Sequence, residues 1–145
     1  MSQPAHMNLV KLSVGTEDIA GLARWQAGKR AQGADGLPRH VTRMWPRRAE
    51  EILAGGSIYW VIRGAIRCRQ TILRLDEVTG DDGVRRCAIV LDPGIVATAQ
   101  AARRPFQGWR YLRPADAPAD LPASRRDEDE LPEALSAALA EIGVL

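Results

Sequence analysis

The segment from residue 66 to residue 91 constrains the fold most. From Ile66 to Val78 the residues alternate with the two-residue period of a strand. Ile66, Cys68, Gln70 and Ile72 share one face, and Arg67, Arg69 and Thr71 the other. Leu73 and Leu75 then take over the second face, so a bulge or twist is expected near Arg74. Thr79-Gly80-Asp81-Asp82-Gly83 is a hairpin signal, and Val84 to Leu91 alternates back with Cys87, Ile89 and Leu91 on one face. A long strand returned on itself by a tight turn commits the chain to an antiparallel or mixed sheet.

The remaining segments add strands and short helices. Asn8 to Val14 reads as a strand with Val10, Leu12 and Val14 on one face. Thr16 is a good helix N-cap, followed by the acids Glu17 and Asp18 in the first turn. Ile19, Leu22, Ala23 and Gln26 line one side of a helix running to about Arg30, with Trp25 beside them. A loop from Gln32 to Pro38 and a short strand over Val41 to Met44 come next. Pro46 suits the first position of a second helix over Arg47 to Ala54, which Gly55-Gly56 stops. Ser57 to Ile62 is a buried strand. Ile95 to Ala102 allows helix or strand, Gln107 to Leu112 reads as a strand, and Pro114 to Pro122 as a linker. Leu131 to Ile142 is a helix with Leu135, Leu139 and Ile142 on one stripe. The expected fold is α+β: a small curled mixed or antiparallel sheet, or a barrel, with two N-terminal helices and a C-terminal helix. Residues 1–126 form one domain, and 127–145 an acidic helix packed on it.

The charge is unevenly spread. The chain has 145 residues and a net charge of only +2. Residues 1–126 carry all 20 basic and 12 of the 18 acidic residues, a net +8; residues 127–145 carry the other six acids and no base. Eighteen of the basic residues are Arg, whose planar fork pairs bidentately with phosphate or carboxylate. A GC-rich genome explains an Arg excess, and the 22 Ala residues fit that account, but it does not explain where the Arg residues cluster. No stretch approaches the roughly 20 apolar residues of a membrane span, and Met1 to Val14 lacks the pattern of a secretory signal. Two cysteines make neither a disulfide scaffold nor a zinc site. A cytoplasmic protein is expected, without metal or cofactor and without a membrane partner.

Three constellations could carry function. The first is Arg39, His40, Thr42, Arg43, Arg47 and Arg48 around Pro46, either an anion site at a helix start or a solvated basic face. The second is Arg103-Arg104-Pro105-Phe106-Gln107-Gly108-Trp109-Arg110-Tyr111. Here basic and aromatic residues interleave as in sites that stack bases and hold phosphates, though Phe106 and Trp109 could equally plug the core. The third is Tyr59-Trp60 with Arg67, Arg69 and Gln70. One aromatic should be core and the other on a cleft or surface, and Gln70 reads as a satisfied buried amide. His40 is the one imidazole suited to acid–base work, and it has no paired acid or Cys nearby.

The stretches Arg39-His40-Val41-Thr42-Arg43-Met44, Gly55-Gly56-Ser57-Ile58-Tyr59-Trp60-Val61-Ile62, Arg69-Gln70 and Arg103 to Leu112 resemble a bacterial family of uncharacterised proteins, a domain of unknown function. The resemblance runs from about residue 8 to the C-terminus and implies no activity. The order helix, Gly-Gly, strand is also similar to small PUA-like barrels, in which a short helix feeds a strand lining an RNA-binding cleft; that likeness is one of element order.

These features together read as a binding module that holds RNA or another phosphorylated ligand. Its expected contacts are Arg39, His40, Thr42, Arg43, Arg47, Arg48, Tyr59, Arg69, Arg103, Arg104, Trp109 and Arg110. Two alternatives stand beside it: an enzyme acting on a nucleotide- or phosphate-bearing substrate with His40 as acid/base, and a protein-interaction module with a basic face.

Overall fold

The computed structural model describes residues 6–122, so the helix expected over Leu131 to Ile142 and the acidic segment 127–145 lie outside the described residues. The strands are β1 (Asn8–Leu12), β2 (Arg39–Thr42), β3 (Ser57–Ile62), β4 (Ala65–Thr79), β5 (Arg85–Leu91), β6 (Val96–Ala102) and β7 (Trp109–Leu112); the α-helices are α1 (Ile19–Gln26) and α2 (Ala49–Leu53). The segment that allowed helix or strand is therefore the strand β6.

The long strand β4 organises the sheet. Its turn to β5 is made by Gly80 to Gly83, with Gly83 at φ +76°, a conformation that glycine adopts at no steric cost. The strands run in the order β2-β5-β4-β3-β1-β7, with β6 also on β4. Strand β3 lies along one edge of β4, while β6 and β5 divide the other edge between Ala65–Arg69 and Ile72–Thr79. Only β1 with β3 is parallel, so the sheet is mixed.

The bulge expected near Arg74 falls between Ile72 and Arg74. A second one was not anticipated. Trp60 pairs with Cys68 but Val61 pairs with Ile66, which leaves Arg67 as an extra residue in β4. An extra residue inverts the facing of everything beyond it. Ile66 therefore does not share a face with Cys68. It packs with Val10, Tyr59, Val61 and Leu112 on one face, while Cys68 packs with Trp60, Ile72, Cys87 and Ile89 on the other. Neither cysteine is in a disulfide, and both are fully buried. Burial and the Asp76 carboxylate push the Cys87 thiol up to about 11, so it is held unreactive.

Both helices are shorter than expected. Asp18, not Thr16, caps α1: its Oδ1 accepts from the Gly21 N–H at 2.7 Å, while the Thr16 hydroxyl pairs with that of Ser13. Gln26 is the last residue of α1, and its side chain is drawn inward. Its amide exchanges two 2.7 Å hydrogen bonds with the Gln70 amide, which also accepts from the Trp60 indole at 2.8 Å and donates to the Asp92 carbonyl at 3.0 Å. Gln70 is thus the satisfied amide its position suggested. Helix α2 begins after Arg48, and Pro46 is buried ahead of it and is not its first residue. Its exit into β3 needs Gly56: a Cβ there would stand 2.1 Å from the Met7 carbonyl oxygen and 2.7 Å from that of Ile52.

The expected linker is a strap. It carries a short 3-10 turn, Pro114–Asp116, and binds back on β6 through Ala99 N–H to Ala119 O at 2.8 Å and Leu121 N–H to Ala97 O at 2.9 Å. The sheet is not closed, so it is no barrel. Its two ends are nevertheless brought together: the Trp109 indole of β7 donates to the carbonyl of Met44, just past β2, at 2.8 Å. Among the described residues no helix is long and apolar enough to cross a membrane.

Candidate functional site

Strand β7 is the hub of the basic residues. Trp109 and Tyr111 point to the face that carries Trp60, and Arg110 and Leu112 to the opposite one. The twelve candidate residues therefore do not converge on one cleft. Nine of them fall into three groups, and Arg39, His40 and Trp109 stand outside these.

The first group surrounds Tyr111. Its hydroxyl accepts from the backbone N–H of Arg47 at 2.9 Å and of Arg48 at 3.2 Å. Two of the donors on which an anion site here would depend are thus already used, and α2 has only five residues. The Arg48 guanidinium lies 5.8 Å from the Tyr111 ring and forms a bidentate pair with Glu51. That pairing holds the Glu51 carboxyl below its usual range. The Thr42 hydroxyl accepts from Met44 N–H at 3.2 Å and closes the turn after β2. Arg43 and Arg47 are exposed, and Trp45 between them is 38% exposed. The sequence reading missed Trp45, although its place between two arginines was visible.

The second group is on the other face. Arg110 and Arg103 stand 5.5 and 6.0 Å from the half-buried Phe106 ring, a cation–π arrangement that holds both guanidinium groups at the surface. Arg104 is exposed beside them. Trp109, by contrast, is 4% exposed with its N–H committed to Met44, so no base can stack on it in this conformation.

His40 belongs to neither group. It points inward and packs edge-on against Trp60, with ring centroids 6.0 Å apart. Burial, with the charge of Lys11 added, depresses its pKa to about 4. The imidazole is neutral at pH 7, which suits a base and not an acid. Lys11 is half-buried and its own pKa is lowered by burial. Among the described residues no cluster of three or more His, Cys, Asp or Glu could hold a metal ion. Arg39 points away from His40, its stem along Gly33.

Tyr59 and Arg69 form the third group, in a cleft of about 380 Å³ between the sheet and the strap. Tyr59 and Trp60 are both buried, on opposite faces of β3, so neither is at the surface. Arg69 grips Asp120 of the strap with two 2.7 Å hydrogen bonds, Nε to Oδ1 and Nη2 to Oδ2, and reaches the Ser57 hydroxyl with Nη1 at 3.1 Å. Asn8 lines the same cleft and was also missed, because the alternation of β1 drew attention to Val10 and Leu12.

Compared with curated proteins and with solved structures, the chain finds no match. A family model described as a protein of unknown function, DUF1489, matches residues 9–145. Apart from Asn8 at the start of β1, that span takes in the strands and helices of the described residues and all three groups of arginines, and the chain belongs to this DUF1489 family.

Proposed function

We propose that the domain binds an extended phosphate-bearing chain, RNA by class, along the rim of β7. One observation carries this reading: the arginines of the β4–β5 hairpin are paired with carboxylates, while most of those around β7, Arg48 and Arg113 excepted, are not. Arg74 pairs with Asp35 and Asp76, Arg85 with Glu77, and Arg86 with Asp82. Around β7, Arg43, Arg47, Arg103, Arg104 and Arg110 form no ion pair with a carboxylate among the described residues. Unmatched guanidinium groups favour a polyanion, through counterion release as well as direct attraction. They lie on both faces of an edge strand and not in one pocket, which suits a chain that tracks along the rim. Trp45 offers a base a partly exposed ring between two of them.

The test is anisotropy of a labelled single-stranded RNA at several salt concentrations. Each phosphate neutralised contributes roughly −0.7 to the slope of log affinity against log salt. The triple change Arg43→Gln, Arg47→Gln, Arg110→Gln should flatten that slope and weaken binding to every sequence alike. Arg74→Gln with Arg85→Gln removes two charges of the same kind from the hairpin and should change it little. Absence of binding at low salt, or equal losses from both sets, would overturn the reading.

A further inference from the structure

Asn8 is 2% exposed, and its Oδ1 accepts from the Ser57 backbone N–H at 2.9 Å. That bond fixes the orientation of the amide, because only the oxygen can accept there. The other end of the amide is left over. Among the described residues, Asn8 Nδ2 is the one fully buried side-chain nitrogen or oxygen with no hydrogen-bond partner. A buried donor left unpaired has given up its water and gained nothing in exchange, so a chain that keeps one calls for a reason.

The reason lies in what surrounds it. Ser57 holds Asn8 through its N–H and Arg69 through its hydroxyl, so the unpaired amide and the guanidinium share one anchor on the wall of the cleft. Tyr59 adds a phenol to that wall, and burial raises its pKa and keeps it a donor. The wall is therefore a row of donors. What faces it is a carboxylate of the protein's own, Asp120, held in the two-point geometry that guanidinium and carboxylate share. Asp120 satisfies Arg69 and leaves Asn8 unsatisfied. It rides on the strap, anchored beside it by two backbone hydrogen bonds to β6, and its side chain is one-third exposed.

We infer that the cleft of Asn8, Ser57, Tyr59 and Arg69 is a binding site for a small carboxylate-bearing ligand, and that Asp120 occupies its guanidinium in the ligand's absence. The ligand's carboxylate takes the Arg69 fork when Asp120 leaves, and an oxygen of the ligand accepts from Asn8 Nδ2. This site is separate from the rim of β7 and does not depend on the RNA reading.

The experiment follows the side-chain amide of Asn8 and Nε of Arg69 by NMR in the ¹⁵N-labelled full chain, with sodium succinate as the probe. Inorganic phosphate and sodium chloride at matched ionic strength are the other arms. Both signals should move saturably with succinate at concentrations on the order of 10 mM, more weakly with phosphate, and not with chloride. Asp120→Asn removes the internal competitor's charge and should tighten succinate roughly tenfold, since affinity rises with the fraction of open sites. Asn8→Asp keeps the acceptor for Ser57 but turns the donor into a charge, and should abolish binding in a protein that still melts cooperatively. Arg69→Lys keeps the charge without the fork and should weaken binding. Static signals with succinate, phosphate binding as well as succinate, or unchanged affinity in Asp120→Asn would each overturn the proposal.

Discussion

The Trp109 indole N–H donates to the Met44 carbonyl at 2.8 Å, and this bond ties the last strand in the sheet order to the segment that leaves the first. No ladder closes the sheet, so such bonds hold its ends in place. Trp109→Phe keeps an aromatic ring but removes the donor and leaves the carbonyl unpaired. It should cost about 1–3 kcal/mol. Tyr111→Phe, which returns the Arg47 and Arg48 N–H groups to solvent in an exposed setting, should cost less than about 1 kcal/mol. Chemical denaturation of both variants checks the order; an equal or reversed ranking would show that the ends are not held by Trp109.

Gln70 sits at the crossing of β4, α1 and the turn after β5, with four hydrogen bonds on one buried amide. Gln70→Leu is close in volume yet strands the Gln26 amide and the Trp60 indole at once. The expected loss is about 2–4 kcal/mol, well beyond an ordinary apolar exchange. Pairing it with Gln26→Leu should recover part of that loss, because the two amides then vanish together. Additive losses in the double variant would mean that the amides are not coupled.

Gly56 is required for close approach and not for its backbone angle, since its φ is not in the left-handed region. With a Cβ 2.1 Å from the Met7 oxygen, the obstacle is backbone on both sides. Gly56→Ala should cost more than about 3 kcal/mol, while Gly55→Ala, at φ +116° in open space, suffers only backbone strain of about 1–2 kcal/mol. Thermal melts of the two variants decide between them.

The β4–β5 hairpin was legible because alternation, turn glycine and return strand agree, and the bulge near Arg74 announced itself when the apolar residues changed face. The bulge at Arg67 made no such announcement. Ile66 and Cys68 are both apolar, and both faces of the sheet are buried there, so the switch leaves no trace in the pattern. The same two-sided burial hid Asn8 and Lys11, polar residues inside a strand whose alternate positions are apolar. Pro46 misled for a different reason. Its fixed φ suits a helix start, but the N–H groups after it are met by Tyr111, far off in sequence. Arginines could be counted from the sequence, but whether each had a carboxylate partner depended on contacts such as Arg69 with Asp120, which only the fold brings together.

His40 gives the fold a pH dependence. Its folded-state pKa of about 4 lies below the ordinary value of 6.5, with burial against Trp60 as the main cause and Lys11 adding to it. The unfolded chain therefore binds a proton in a range where the folded one does not. Stability from the neutral imidazole is fully present above pH 6.5 and is lost as the pH falls toward 4. The ceiling is about 3 kcal/mol, and solvent at the partly open ring lowers it. Carboxylates held down by Arg partners, such as Glu51 and Asp35, lose their contribution only at more acidic pH. His40→Gln keeps a polar planar side chain that does not titrate. Denaturation midpoints measured from pH 4.5 to pH 7.5 should fall on the acid side in the parent protein and stay nearly level in the variant. A parallel fall in both would assign the acid sensitivity to other groups and leave His40 without a part in it.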